Sequence, residues 1–192
     1  MKNILIIIVA LFIAQEVYSE EKQKKAYFAG GCFWCVEEYL DKIDGVSKTI
    51  SGYSGGHLEN PTYKQVVSNL TGHVEAVEVT YDVDKVNYSK LVSVHLKNIN
   101  PFDGDGQFCD RGESYKPAIF YTNNYEKKII IDSLMKIEKE FKRKTNVAVI
   151  KFKKFYRGED YHQDYYQKSF INYLIYKSGC GREQKLNEIW NY

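Results

Sequence analysis

The feature that most constrains the fold is a regular alternation of strand and helix patterns after residue 25. Val74–Tyr81 carries mostly alternating apolar residues, which predicts a half-buried strand, and Asn124–Lys142 has the apolar spacing of a long amphipathic helix. No Pro- or Gly-rich break divides this part of the chain. Since strands that alternate with helices pack as a sheet covered by helices, we predict one α+β domain over residues 26–192. We expect a two-layer sandwich whose mixed sheet is of the split βαβ, ferredoxin-like kind.

The remaining predicted elements are shorter and are bounded by Gly, Pro, Asn and Asp residues. The predicted strands are Ala26–Ala29, Lys48–Tyr53, Pro117–Tyr121 and Val147–Phe155. The predicted helices are Phe33–Ile43, Pro61–Ser68, Tyr88–Asn98, and two more near Asp164–Lys177 and Glu183–Trp190. Phe102–Gly112, which is rich in Gly and Asp, is predicted to be a loop.

Composition is that of one globular domain rather than a disordered chain. The 192 residues are 44% hydrophobic and 27% charged, which suits a core of ordinary size. The formal net charge is only +2, with Lys and Glu interspersed, so the chain offers no field that would capture a polyanion. We therefore expect a monomer that does not bind nucleic acid.

The first nineteen residues have the order of a secretory signal. Lys2 precedes the apolar run Ile4–Ala14, and the polar stretch Gln15–Ser19 follows, with small residues at Val17 and Ser19. The apolar run is about half of the roughly 20 residues needed to span a bilayer. We expect residues 1–19 to be a cleaved signal and residues 20–25 a charged linker. The mature protein is then exported, periplasmic or secreted, and free of the membrane; an uncleaved anchor is the alternative.

One cysteine, Cys32, lies at a position that favours a reactive thiolate. Gly30 and Gly31 end a predicted strand and allow a tight turn, which places Cys32 at the first turn of the next helix. Unpaired amides and the helix dipole at such a position stabilise a thiolate and lower the thiol pKa from its usual ~8.5. The position favours Cys32 as a nucleophile over an inert buried thiol.

Other cysteine chemistries fit the sequence less well. A zinc site needs a second cysteine pair at matching spacing, but Cys109 and Cys180 are isolated, so no metal is expected. Haem attachment needs a histidine where Val36 stands. A thioredoxin-like redox pair of Cys32 and Cys35 remains open, although no proline stands in a loop placed to face it.

The segment around Cys32 resembles the signature of the peptide methionine sulfoxide reductase A family, and four further blocks are similar in order and spacing. These blocks are Gly52–Gly56, Asn60–Tyr63 with Thr71–Val77, Gly106–Gly112 with Tyr115, and Tyr161–Tyr166. The likeness covers nearly the whole chain after residue 25. The glycine-rich tail with paired cysteines found in many members is absent, and Ser178–Glu183, which contains Cys180, stands in its place.

The resemblance implies reduction of the S epimer of methionine sulfoxide, free or in peptides, to methionine. Cys32 is then the nucleophile, and Phe33 and Trp34 wall a pocket for the substrate methyl group. Glu75 corresponds to the family's acid, which an apolar pocket holds neutral so that it can donate to the sulfoxide oxygen.

Two tyrosines and one carboxylate complete the implied site. Tyr63 and Tyr115 match family tyrosines that hydrogen-bond the sulfoxide oxygen, and they remain donors at neutral pH. Asp110 matches an acidic residue near the nucleophile, where it orients other groups. No cofactor is expected, because none of the phosphate-binding glycine patterns occurs.

Recycling of the enzyme is less determined by the sequence. Attack leaves a sulfenic acid on Cys32, which a second thiol converts into a disulfide. We expect Cys180, which lies between two glycines in a mobile tail, to be that thiol, with Cys35 and Cys109 as alternatives. The resemblance implies that a thioredoxin-like dithiol reductant then opens the disulfide.

Two other functions remain open at this point. One is a general thiol–disulfide oxidoreductase that uses Cys32 and Cys35. The other is an exported binding protein with a structural disulfide, either Cys32–Cys35 or Cys109–Cys180.

Overall fold

A computed structural model describes residues 22–190, so the predicted signal over residues 1–19 lies outside the described part. Within residues 22–190, none of the helices combines the length and the apolar character that crossing a membrane requires.

The described chain contains one large sheet and one small hairpin. The six strands of the sheet are β1 (Gln23–Ala29), β2 (Val46–Ser54), β3 (Val74–Asp82), β6 (Ala118–Tyr121), β7 (Ala148–Lys151) and β8 (Phe155–Arg157). The hairpin strands are β4 (Gly106–Gln107) and β5 (Asp110–Arg111), which lie within the predicted loop. The helices are α1 (Phe33–Asp41), α2 (Tyr63–Val67), α3 (Tyr88–Lys97), α4 (Asn124–Phe141), α5 (Tyr165–Lys168), α6 (Phe170–Gly179) and α7 (Arg182–Trp190).

The large sheet is mixed, with the strand order β7-β6-β1-β3-β2-β8. Strand β1 pairs antiparallel with β3 and β6, and β2 pairs antiparallel with β3 and β8, whereas β6 and β7 are parallel. Helix α1 joins β1 to β2, and β3 lies between these two strands in the sheet. The predicted α+β class is confirmed.

The sheet curls strongly, because its two edge strands are almost consecutive in the chain. Only residues 152–154 join β7 to β8, and four peptide steps reach at most about 14 Å. Six strands in a flat sheet would separate the two edges by roughly 24 Å. The two edge strands must therefore approach each other. Here the structure differs from the strand predicted from the sequence. The predicted strand Val147–Phe155 is two strands that lie on opposite edges of the sheet.

The main core lies between one face of the sheet and three helices. The buried residues of this core include Phe28, Val77, Val79 and Ile119 of the sheet, Phe33, Val36 and Leu40 of α1, Leu91, Val92 and Leu96 of α3, and Ile130, Leu134 and Ile137 of α4. The other face carries a smaller cluster, in which the Phe152 ring stacks on Tyr27 with 3.8 Å between centroids. Packing against the sheet face that carries the helices therefore positions α1 and its first residue.

The predicted helix Asp164–Lys177 is interrupted. The backbone of Ser169 leaves the helical region, with φ −120° and ψ 45°, and the Ser169 carbonyl accepts the Tyr173 N–H to begin α6. The short helix α5 precedes this break. The interruption matters for the site, because α6 brings Tyr173 and Tyr176 toward the two free cysteines.

Candidate active site

The candidate site is built where β1 ends and α1 begins. Gly31 has φ +80°, and a Cβ there would lie 2.6 Å from the Gln107 side chain, so the turn requires glycine. Cys32 follows as the N-cap of α1, in extended backbone, and its side chain makes no capping hydrogen bond. The structure therefore places Cys32 at the helix mouth, as the sequence predicts.

Two carboxyl groups occupy the first amides of this helix. The Phe33 N–H donates to Glu75 Oε2 at 2.9 Å, and the Cys32 N–H donates to the Asp110 carboxylate. Asp110 Oδ2 also accepts the Tyr176 hydroxyl at 2.6 Å. Asp110, from the β4–β5 hairpin, thus links the nucleophile's backbone to α6. Because both amides already have partners, they are not available to the Cys32 sulfur.

The thiol pKa values differ from the prediction, chiefly because Cys32 is buried. Burial raises the pKa of Cys32 well above its ordinary value, with further contributions from its hydrogen bond to Cys35 and from the nearby Glu75 and Asp110. The same hydrogen bond, together with the charge of Arg182, lowers the pKa of Cys35 to about 7. The expected lowering of the Cys32 pKa is therefore corrected. Of the two thiols, Cys35 is therefore the one whose ionisation its surroundings favour.

Glu75, Tyr63 and Tyr115 form a group of protonated donors beside Cys32. Glu75 is 1% exposed, and burial raises its pKa well above the ordinary value, which favours its neutral, protonated form. The Tyr63 and Tyr115 hydroxyls are hydrogen-bonded to each other, and burial raises the pKa of Tyr63 to about 12. Burial also raises the pKa of Tyr115. All three groups can donate to an oxygen atom at neutral pH.

The walls of the site are aromatic. Phe33 is buried, with ring centroids 6.3 Å from Tyr63 and 4.8 Å from His162. Trp34 is half-buried; it stacks on Tyr165 at 3.9 Å and donates its Nε1–H to His162 Nδ1 at 3.2 Å. These rings form an apolar surface that a methyl group can contact.

Sequence reasoning missed residues that hold this site together. Glu159 accepts the Tyr53 hydroxyl at 2.6 Å and the Tyr63 N–H at 2.8 Å, which fixes the start of α2. Tyr176, described above, orients Asp110. Among 17 tyrosines and an interspersed set of acids, no spacing distinguishes these residues. They could be found only from the fold.

Cys180 is not placed as predicted. Its sulfur is bonded to Cys109, with 5.0 Å between Cα atoms, and it lies buried between α6 and α7 rather than in a mobile tail. It is therefore not a free thiol in this structure, and neither is Cys109. The thiol that contacts Cys32 is Cys35. Cys109, Asp110 and Cys180 also group closely enough for a metal, but the disulfide removes both sulfurs as thiolate ligands.

The comparisons with known proteins agree with this geometry. Residues 24–192 match the sequence model of the family described as "Peptide methionine sulfoxide reductase". The chain is similar to "Peptide methionine sulfoxide reductase MsrA" of Bacillus licheniformis, with 46% identity over 88% of this chain and 95% of that protein. It is also 46% identical to "Peptide methionine sulfoxide reductase MsrA/MsrB" of Vibrio cholerae over 87% of this chain, but spans only 45% of that longer protein.

A solved structure gives the same result for the fold. Methionine sulfoxide reductase A of Corynebacterium diphtheriae superposes with a TM-score of 0.71 and 26% identity, over 78% of this chain and 76% of that one.

Proposed function

Because the chain belongs to the peptide methionine sulfoxide reductase family, we propose that it reduces the S epimer of methionine sulfoxide, free and in proteins, to methionine. The observation that carries this proposal is the grouping of Cys32 with three protonated donors, Glu75, Tyr63 and Tyr115, in one aromatic pocket. A thiol attacks the sulfur, the donors hold the oxygen, and the rings of Phe33 and Trp34 take the methyl group.

Cys32 and Glu75 together account for the oxygen, the electrons and the protons of the first step. The Cys32 sulfur attacks and takes the oxygen from the sulfoxide, which leaves methionine and a sulfenic acid on Cys32. Cys32 is oxidised and the sulfoxide is reduced. Glu75 gives a proton to the oxygen, and the proton lost from the thiol of Cys32 restores that carboxyl group. The raised pKa of Glu75 suits this exchange, because it favours the protonated acid. Cys32 gives up its proton as its sulfur attacks, since the thiolate is the reactive form.

The second step forms a disulfide between Cys32 and Cys35. Cys35 is a free thiol in hydrogen-bond contact with Cys32, whereas Cys180 is already bonded to Cys109. A thioredoxin-like dithiol then reduces the Cys32–Cys35 disulfide by thiol–disulfide exchange. The Cys109–Cys180 disulfide stays closed in this cycle.

A disulfide map tests both steps. The protein is mixed with excess methionine sulfoxide without reductant, and its peptides are identified by mass spectrometry. We expect one methionine per protein, a new Cys32–Cys35 disulfide and an unchanged Cys109–Cys180 disulfide. Absence of methionine would contradict the proposed reaction, and activity on protein disulfides alone would favour a general thiol–disulfide oxidoreductase. A Cys32–Cys180 disulfide would restore the original prediction for Cys180.

We also propose that the protein is exported and acts on oxidised exported proteins. The order of Lys2, Ile4–Ala14 and Gln15–Ser19 supports this, and the Cys109–Cys180 disulfide suits an oxidising compartment. Full-length chain expressed in a bacterium is expected to yield exported protein that begins at Glu20. A chain that begins at Met1 and stays in the cytoplasm would contradict this.

The sheet itself is proposed to contain a split βαβ core of the ferredoxin-like kind. The order β6-β1-β3-β2, all antiparallel neighbours, supports this classification. Strands β7 and β8 are then additions at the two edges.

A further inference from the structure

Arg182, at the start of α7, is a buried cation without a carboxylate partner. The residue is only 3% exposed, so its charge is buried. Its Nη2 donates to the Asn98 carbonyl at 2.5 Å, and the guanidinium lies 4.6 Å from the ring centroid of Phe108. Within residues 22–190, no Asp or Glu lies within ion-pair distance of it. A buried charge is costly unless an opposite charge lies close, so this arrangement calls for an anion.

The charge of Arg182 acts on two ionisable groups, the carboxyl of Asp110 and the thiol of Cys35, and Cys35 is the one that shares a cavity with it. A cavity of about 200 Å³ is lined by Arg182 and Cys35, together with Glu38, Lys42 and Lys177. The two lysines are already paired: Lys177 with Glu38 at 2.9 Å and with Glu183 at 3.1 Å, and Lys42 with Glu38 at 2.8 Å. Among the described residues that line this cavity, Arg182 is the cation left without a carboxylate, and Cys35 is the ionisable group left to match it.

We propose that Arg182 is the positioning residue that holds Cys35 as a thiolate, ready to attack the sulfenic acid on Cys32. This inference rests on the proposed function for that second step, while the ionisation of Cys35 is a property of the resting protein. The charge of Arg182 favours the thiolate, in addition to the hydrogen bond with Cys32. The Tyr173 hydroxyl lies 3.5 Å from the Cys35 sulfur but donates its proton to Glu38 at 2.6 Å.

The other titratable groups around Cys35 do not supply a buried positive charge that stabilises its thiolate. The titratable groups on the surrounding elements are Cys32, Glu38, Tyr39 and Lys42 of α1, Glu75 of β3, His95 of α3, Asp110 of β5, Tyr173, Tyr176 and Lys177 of α6, and Glu183 of α7. The acids and tyrosines oppose a thiolate by charge when ionised, and burial keeps His95 neutral by lowering its pKa to about 3. Arg182 is thus the buried positive charge that acts on Cys35.

The step that this thiolate performs is balanced. The Cys35 sulfur attacks the Cys32 sulfur, a sulfur–sulfur bond forms, and the sulfur–oxygen bond of the sulfenic acid breaks. Hydroxide leaves and takes a proton from solvent to become water. A neutral Cys35 thiol would be a poor nucleophile, because the thiolate is the reactive form.

The Cys109–Cys180 disulfide fixes Arg182 in this position. Cys180 precedes Arg182 by two residues, and Cys109 follows Phe108, the ring against which the guanidinium packs. The disulfide therefore joins the two segments that hold the charge. It acts on the free pair through Arg182 rather than by exchanging electrons with it.

The first test is a titration of Cys35 alone. In a Cys32→Ser variant with the Cys109–Cys180 disulfide intact, Cys35 is the one free thiol, and its ionisation is followed by the ultraviolet absorbance of the thiolate against pH. Adding Arg182→Gln, which keeps a donor for the Asn98 carbonyl, is expected to raise the pKa of Cys35 by at least about 1 unit. Adding Arg182→Lys, which keeps the charge, or the control Lys42→Met in the same cavity, is expected to leave it within a few tenths of a unit.

The second test measures the step itself. In the otherwise unchanged chain, Arg182→Gln is expected to slow closure of the Cys32–Cys35 disulfide about 10-fold at pH 7, with sulfenic acid forming on Cys32 at the normal rate. The proposal would be overturned if the Cys35 pKa were the same in Arg182→Gln as in Lys42→Met. It would also be overturned if Arg182→Lys shifted the Cys35 pKa as much as Arg182→Gln does. Circular dichroism and an intact Cys109–Cys180 disulfide confirm that each variant is folded. The titration needs no sulfoxide, so it still decides this point if the proposed reaction fails.

Discussion

Replacing Cys32 with serine is expected to abolish methionine formation, with a fall of more than about 10⁴-fold in the first turnover. A hydroxyl cannot take the sulfoxide oxygen as a sulfur atom can. The fold is expected to survive, since Cys32 is the N-cap of α1 and serine is among the residues favoured at that position. The measurement is methionine released in a single turnover by folded protein.

The control for this change is Cys35→Ser. It retains the nucleophile and is expected to release one methionine per protein at a rate close to normal, but not to recycle. If Cys32→Ser retained the first turnover, Cys32 would not be the nucleophile.

Replacing Glu75 with glutamine is expected to slow the first turnover about 10²–10⁴-fold, the usual contribution of a general acid. The amide oxygen can still accept the Phe33 N–H, so the helix mouth keeps its geometry. What is lost is the proton that the neutral carboxyl delivers. The matched control is Glu78→Gln on the same strand, where the carboxylate pairs with Lys25 at 2.8 Å, and we expect it to leave the rate unchanged.

The pH dependence gives a second measure of Glu75. Because burial raises its pKa, the acid keeps its proton to a higher pH than an exposed glutamate and loses it as pH rises through that raised pKa. The first turnover is therefore expected to fall on the alkaline side, and this fall should be missing in Glu75→Gln. A variant that kept both the normal rate and the alkaline fall would assign the proton to Tyr63 or Tyr115 instead.

The sequence was most informative where the site depends on neighbours in the chain. The turn at Gly31, the position of Cys32 and the aromatic residues that follow are all local, so their spacing predicted them. The order of the similar blocks also indicated Glu75, Tyr63, Tyr115 and Asp110, and the structure brings these residues to one place.

The properties that depend on distant contacts could not be predicted in the same way. The pKa of Cys32 is raised chiefly because the fold buries its thiol, with further contributions from Cys35, Glu75 and Asp110. The Cys109–Cys180 disulfide joins residues 71 positions apart, and four cysteines allow three pairings. Arg182 carries no motif at all, and only its burial beside Cys35 distinguishes it from other cations.

The aromatic walls of the site contain no methionine, the residue whose oxidised form is the proposed substrate. The chain has two methionines, Met1 and Met135, and Met135 lies exposed on α4 rather than among Phe33, Trp34 and Tyr165. A thioether in the pocket would become polar on oxidation and would spoil the apolar surface that receives the substrate methyl group. With rings in its place, the site contains no thioether that an oxidant could convert to a sulfoxide.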